Sequence, residues 1–269
     1  MKKICYQFIL LLIAVGIVSC NRHIYVPNTV NVPLLKEKHE FKASISPTNL
    51  QTAFALTDNL AIMANGQYVY RFDFSDRSDE QGLFVDNQTR GGVVEGAIGF
   101  FKPFGPKKQM VFDAFAGYGM GSFKTFTIDK NDNPDANAND YLLKNRFSKV
   151  FIQPSIGFVH PVVEAAFSSR FSMLNFYNNT IGPKAFENDA TGKSNFQHIN
   201  SQSNFFYEPA FTFRVGYKYV KFQLQLQASI PITNSDYREY KLNEFFQPLA
   251  FGMGASIDIA RWYHQIGKK

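Results

Sequence analysis

The chain has two cysteines, one tryptophan and, beyond its first twenty residues, no apolar run long enough to cross a membrane as a helix. Cys5 falls within the amino-terminal leader and Cys20 at its end, so the mature chain can form no internal disulfide and is not a cysteine-stapled secreted domain. Without an apolar stretch of about 20 residues, a helical membrane span is excluded as well. Charge of one sign is also scarce. The chain carries 28 Lys and Arg against 22 Asp and Glu, and losing Lys2 and Lys3 with the leader narrows the difference further, so no nucleic-acid-binding surface is expected. No glycine-rich turn opens a helix to cradle a phosphate. His23, His39, His160, His198 and His264 lack the close spacing of a metal site. No repeat of solenoid length is present.

The leader itself is informative. Lys2 and Lys3 precede the apolar run Phe8 to Val18, which is too short to span a membrane and has the make-up of a signal peptide's hydrophobic region. The stretch Ile17-Val18-Ser19-Cys20 resembles a bacterial lipoprotein signal, with the small Ser19 just before the cysteine, although Ile17 stands where Leu is usual and Val18 where a smaller residue is. The resemblance implies removal of residues 1–19 and a covalent lipid, carrying acyl chains such as palmitate, on Cys20. No other cofactor is expected. Residues 20–39 contain Pro27, Pro33 and the charged Lys36-Glu37-Lys38, which predict a periplasmic tether between lipid and folded domain.

What is abundant is aromatic side chains, 29 Phe and 13 Tyr, set in segments of strict alternation. From Val220 to Ile230, apolar residues fill the even positions and Lys221, Gln223, Gln225, Gln227 and Ser229 the odd ones. Leu249 to Ile259 alternates in the same way. Further segments are Glu40 to Ser46, Leu50 to Thr57, Leu60 to Phe72, Gly92 to Phe101, Met110 to Phe126, Phe147 to Val159, Val162 to Leu174 and Phe205 to Tyr217. Short connections alternate with long polar ones near 73–91, 127–146, 175–204 and 233–246. These features predict an all-β fold: an antiparallel up-and-down transmembrane β-barrel of about ten strands, with eight as the alternative, over residues 40–262, with short periplasmic turns, long external loops and a tail at 263–269. Strand parity then places both ends of the barrel, the tether and the lipid on Cys20 on the periplasmic side of a bacterial outer membrane, with the lipid in the inner leaflet. Asn21-Arg22-His23, in place of the acidic residues that follow the cysteine in surface-exported lipoproteins, agrees with that N-terminal side.

If the apolar faces point outward, the opposite parity assigns ten charged residues to the interior: Arg71, Glu95, Asp113, Lys149, Glu164, Arg170, Glu208, Arg214, Lys221 and Asp258. Acids and bases balance, which predicts a paired polar network filling the lumen rather than an open pore. Gly117, Gly119, Gly121, Gly252 and Gly254 leave room for larger neighbours. The loop Asp129-Lys130-Asn131-Asp132-Asn133-Pro134-Asp135 starts like a calcium loop but has Pro134 where a glycine is needed and Asp140 where Glu belongs, so no metal site is expected. A hydrolase would need a serine, a histidine and an acid meeting at one rim. His198, Ser201, Ser203 and Glu208 offer the residue types without a motif, so no catalytic residue is assigned. Phe205-Phe206-Tyr207 is read as part of an interfacial aromatic girdle.

The stretches Asn31-Val32-Pro33-Leu34-Leu35, Leu56-Thr57-Asp58-Asn59-Leu60 and Ala64-Asn65-Gly66-Gln67-Tyr68 resemble the small outer-membrane β-barrel proteins of the Bacteroidota, many of which have no assigned activity. The resemblance implies a non-enzymatic outer-membrane barrel lipoprotein, a structural or accessory subunit of an envelope assembly or secretion complex. Its partners would be outer-membrane lipids, lipopolysaccharide and a larger protein complex. A small transporter or channel and a lipid-modifying enzyme are the alternatives.

Overall fold

The computed structural model describes residues 23–70, 89–127, 137–217, 219–232 and 245–259. The segments that alternate in sequence are the strands: β1 (Phe41–Ile45), β2 (Asn49–Ala55), β3 (Leu60–Val69), β4 (Arg90–Phe104), β5 (Met110–Phe126), β6 (Leu142–Val159), β7 (Val163–Ile181), β8 (Asn204–Tyr217), β9 (Val220–Ala228), β10 (Ile230–Pro231) and β11 (Leu249–Asp258). Each pairs antiparallel with the next from β1 to β9. The two-residue β10 prolongs the line of β9 beyond Ser229 and pairs with β8. β11 joins β9 to β1 and closes the sheet into a ten-stranded barrel. No helix among the described residues is long and apolar enough to cross a membrane.

Polarity follows the strand period. On β9, Lys221, Gln223, Gln225 and Gln227 are buried inside while Val220, Phe222 and Leu226 are exposed outside. The same holds around the wall, where Ile45, Leu50, Ile62, Val94, Ile98, Ile152, Phe211 and Met253 face out. The barrel is therefore apolar on its surface and polar within. Its wall is uneven in height, since β1 has 5 residues and β7 has 19.

β4 outruns its expected limits by a few residues at each end, and β6 and β7 do so at the long-loop rim. β6 begins at Leu142 and β7 continues to Ile181 because, near that rim, the inward positions turn aromatic and apolar, with Leu143, Phe147, Leu174 and Phe176 buried there. The connection from β7 to β8, expected as a polar loop, carries a short helix, α1 (Ala190–His198), whose start is capped by Asp189 accepting a 2.7 Å hydrogen bond from the Gly192 N–H.

The largest departure concerns the expected tether. Residues 24–35 run along the inside of the barrel, every one of them buried, in a largely extended path that ends in a left-handed turn at Leu34, with φ 49°. His23 lies at the long-loop rim, where Thr89 donates to its carbonyl oxygen, and Ile24 N–H donates to Phe245 O. Lys36 lies at the opposite rim, where its N–H meets Glu40. Strand parity alone puts the amino-terminal side of the barrel at the short-turn rim, where β1 does begin, but the luminal run carries the chain across to the other. Arg71, Cys20, the 129–135 loop, residues 1–19 and the tail at 263–269 lie outside the described residues.

Wall glycines make room for this filling. A Cβ on Gly121 would collide with the Phe147 ring, whereas one on the outward-facing Gly96 would meet nothing within 4 Å. We therefore expect Gly121→Val to cost about 1–3 kcal/mol by overpacking and Gly96→Val to be close to neutral. The temperature at which the folded band is lost in unboiled SDS gels should fall for the first and hold for the second.

Candidate functional site

Among the described residues, buried charged and polar side chains concentrate in the interior, which has three layers. At the long-loop end, Tyr25, Phe123, Phe147, Phe176, Phe206 and Phe246 form an aromatic cap with Phe196 of α1 and Phe245. Tyr25 packs edge-on to Phe147 at 5.5 Å, and Phe206 to Phe246 at 5.0 Å between ring centres. Phe206 thus faces inward, while its neighbours Phe205, exposed, and Tyr207, half-buried against Phe171, stand on the outer face where a girdle was expected. His23 sits at this rim with no partner for either ring nitrogen among the described residues, and its burial pulls its pKa down to about 4.

Below the cap lies a four-membered ion cluster. Lys149 Nζ is 3.1 Å from Glu95 and 3.2 Å from Glu208, while Arg170 approaches the same two carboxylates at 3.3 and 3.0 Å. Strand register explains the set. Arg170 stands opposite Glu208 on neighbouring strands. Lys149 and Glu95 are two strands apart, but the residue between them in register is Gly119, so nothing stands between the two side chains. A Cβ there would lie 2.7 Å from Glu95 Cγ. The luminal segment completes the cluster: the Tyr25 hydroxyl donates to Glu208 at 2.7 Å and the Asn28 amide to Glu95 at 2.7 Å. Lys149 in turn donates to both Tyr25 and Asn28. Asn65 and Ser172 supply further donors to the two carboxylates.

A second group lies towards the short-turn rim. Glu164 is paired with Arg214 at 3.1 Å and Lys221 at 2.6 Å. Of the remaining interior candidates, Asp113 is fully buried opposite Ser155 and belongs to neither group, and Asp258 stands half-buried at the rim opposite Lys42. The structure thus brings Glu95, Lys149, Arg170 and Glu208 together, and separately Glu164, Arg214 and Lys221.

Between and around these groups, wall side chains hold the main chain of the segment. Gln67, Arg170, Gln51, Gln225, Gln153, Arg214 and Lys42 donate in turn to the carbonyl oxygens of Pro27, Asn28, Thr29, Val30, Asn31, Val32 and Leu34. Gln225 also accepts from the Val30 N–H. Charge alone pointed to the acids and bases but missed these glutamines, Asn28 and Tyr25. The signal available was that residues 23–35 contain no charged side chain and seven aliphatic or aromatic ones, a poor composition for a solvated tether.

The space left is small. A cavity of about 300 Å³ opens at the short-turn rim beside Lys36, Lys42, His160, Glu164, Lys221 and Asp258, and a second of about 10 Å³ lies near Thr29. The hydrolase-type residues do not assemble. His198 Nδ1 bonds to Ser194 O, Ser201 donates to His198 O, Ser203 donates to Asn175, and Glu208 is committed to the ion cluster. Among the described residues no group of His, Cys, Asp or Glu is placed to hold a metal ion.

The class defined by this architecture is a closed, ten-stranded antiparallel β-barrel with a segment of its own chain in the lumen. No family model, no curated protein and no solved structure matches the chain.

Removing one member of a buried ion set strands the others. Arg170→Leu leaves two carboxylates facing one ammonium and is expected to cost about 3–5 kcal/mol. Adding Glu208→Leu restores the balance as a Lys149–Glu95 pair, so the double variant should regain part of that loss. Chemical denaturation in detergent, followed by tryptophan-independent circular dichroism at the sheet band, reads both.

Proposed function

We propose that the chain is an integral β-barrel lipoprotein of a bacterial outer membrane, acylated on Cys20, with a sealed lumen and a non-enzymatic role as a structural or accessory subunit of an envelope complex. The observation that carries this reading is the polarity of the wall. An exposed band that includes Val94, Ile98, Ile152, Phe211 and Met253 encloses an interior of Gln, Arg, Lys and Glu. In water that arrangement would expose a far larger apolar surface than a soluble monomer tolerates. A lipid-facing barrel has this polarity, and a soluble lipid-carrying barrel has the reverse. Strands of 17 to 19 residues in β5 to β7 exceed the 9–11 needed to span a bilayer. Outer-membrane lipids and lipopolysaccharide would then be the immediate partners.

The sealed lumen supports a non-conducting role over the transport alternative. Conduction requires residues 24–35 to leave, which breaks the hydrogen bonds to seven carbonyl groups and uncovers both ion groups. Purified protein in planar bilayers should give no resolvable current steps. Regular steps from the intact chain would instead favour the channel. For the complex, mild extraction from membranes should yield a particle larger than one barrel in its detergent. A monomer alone would remove the subunit role.

A further inference from the structure

We propose that the luminal segment threads the amino terminus through the barrel, so that the lipid on Cys20 enters the membrane leaflet at the long-loop rim and not the one at the short-turn rim. The inference rests on the outer-membrane lipoprotein reading above, under which the long-loop rim faces the exterior and the lipid joins the external leaflet.

Three observations carry it. First, the direction of the segment is fixed at both ends. His23 O accepts from Thr89 and Ile24 N–H donates to Phe245 O, both beside long connections, whereas the Leu34 carbonyl accepts from Lys42 and the Lys36 N–H meets Glu40 at the base of β1. Second, the segment is held along its whole length. Its carbonyl groups are bound almost residue by residue, and its side chains Tyr25 and Asn28 are built into the ion cluster, so it is not a passing occupant. Third, chain length decides the side. Residues 24–35 traverse the barrel, a path on the order of 35 Å for extended chain. Cys20 is three residues from His23, a reach of at most about 11 Å. Those three residues cannot return the lipid to the opposite rim. Strand β11 ends at the short-turn rim, opposite Lys42, so the luminal segment begins and β11 ends at opposite rims.

The acyl chains do more here than add affinity for a membrane the barrel already occupies. With the segment bound inside, the lipid fixes the chain at one face while Glu40 and Lys42 at the start of β1 hold it at the other, and the plug is secured at both ends.

The test uses full-length protein in cells, with single cysteines introduced at Arg22, at Gln202 on the long-loop rim and at Asp58 in a short turn, each against an acylated Cys20 and probed with a membrane-impermeant maleimide. Gln202 and Asp58 are exposed. Arg22→Cys is expected to label in intact cells to the same extent as Gln202→Cys, with Asp58→Cys labelling only after permeabilisation. Arg22→Cys labelling together with Asp58→Cys, and apart from Gln202→Cys, overturns the proposal. Asp58→Cys alone labelling in intact cells reverses the orientation and overturns the external-leaflet assignment. If the rim reporters label alike and the protein is not in the membrane fraction, the outer-membrane reading fails instead. Asn21→Cys gives a second amino-terminal probe if Arg22→Cys loses the heat-resistant folded band.

Discussion

A luminal segment that meets other backbone only near its start, where Tyr25 bridges Phe246, must find partners for the rest of its main chain elsewhere, and the interior of this protein is organised around that requirement. The carbonyl oxygens from Pro27 to Val32, and that of Leu34, are satisfied by side chains, chiefly glutamine, arginine and lysine, projecting from the wall. Each such bond contributes only about 1 kcal/mol net, but leaving a buried carbonyl unmet costs about 1–3 kcal/mol. The wall supplies the donors that these carbonyl groups need, and Gln225 returns an acceptor to the Val30 N–H. Pro27 and Pro33 fit the same logic: a residue without an N–H removes a donor that no ladder would satisfy.

The ionic groups serve this arrangement rather than standing apart from it. Glu95 and Glu208 each accept from the wall and from the segment at once. Buried ions of this kind are weak sources of stability compared with apolar packing. Their value lies in geometry, because only one register of the segment places the Tyr25 hydroxyl on Glu208 and the Asn28 amide on Glu95. Glycines complete the fit. Gly119 lets lysine and glutamate meet across an intervening strand, while Gly157 and Gly252 take Leu34 and Thr29 of the segment against the wall.

The barrel was legible in the sequence because alternation of apolar and polar residues is local, and each strand states its own inward face. Val220 to Ala228 alone specifies which side of β9 faces in. The interior charges were readable by the same parity. Their grouping was not, because pairing depends on register between strands and on which residue intervenes. The luminal segment was harder still. A segment bridged to other backbone only around Tyr25, among the described residues, has no period-two signature, and its two prolines signal a linker. Its hydrogen bonds run to residues as much as 222 positions away, from Gln247 N–H to Tyr25 O, so no local pattern could contain them.

The seam of the barrel has a consequence for assembly. β1 pairs with β11 over only Lys42 to Ile45, against a ladder running from Met110 to Phe126 between β5 and β6. β1 also follows the luminal segment after one turn at residues 37–39. A finished cylinder could admit the segment only end first, through a lumen already lined with charge. A sheet still open at its shortest ladder admits it sideways, and the strand that brings the segment in is the strand that shuts the sheet. Filling and closure are then one event, and no hollow form of the barrel need exist on the way to the native state.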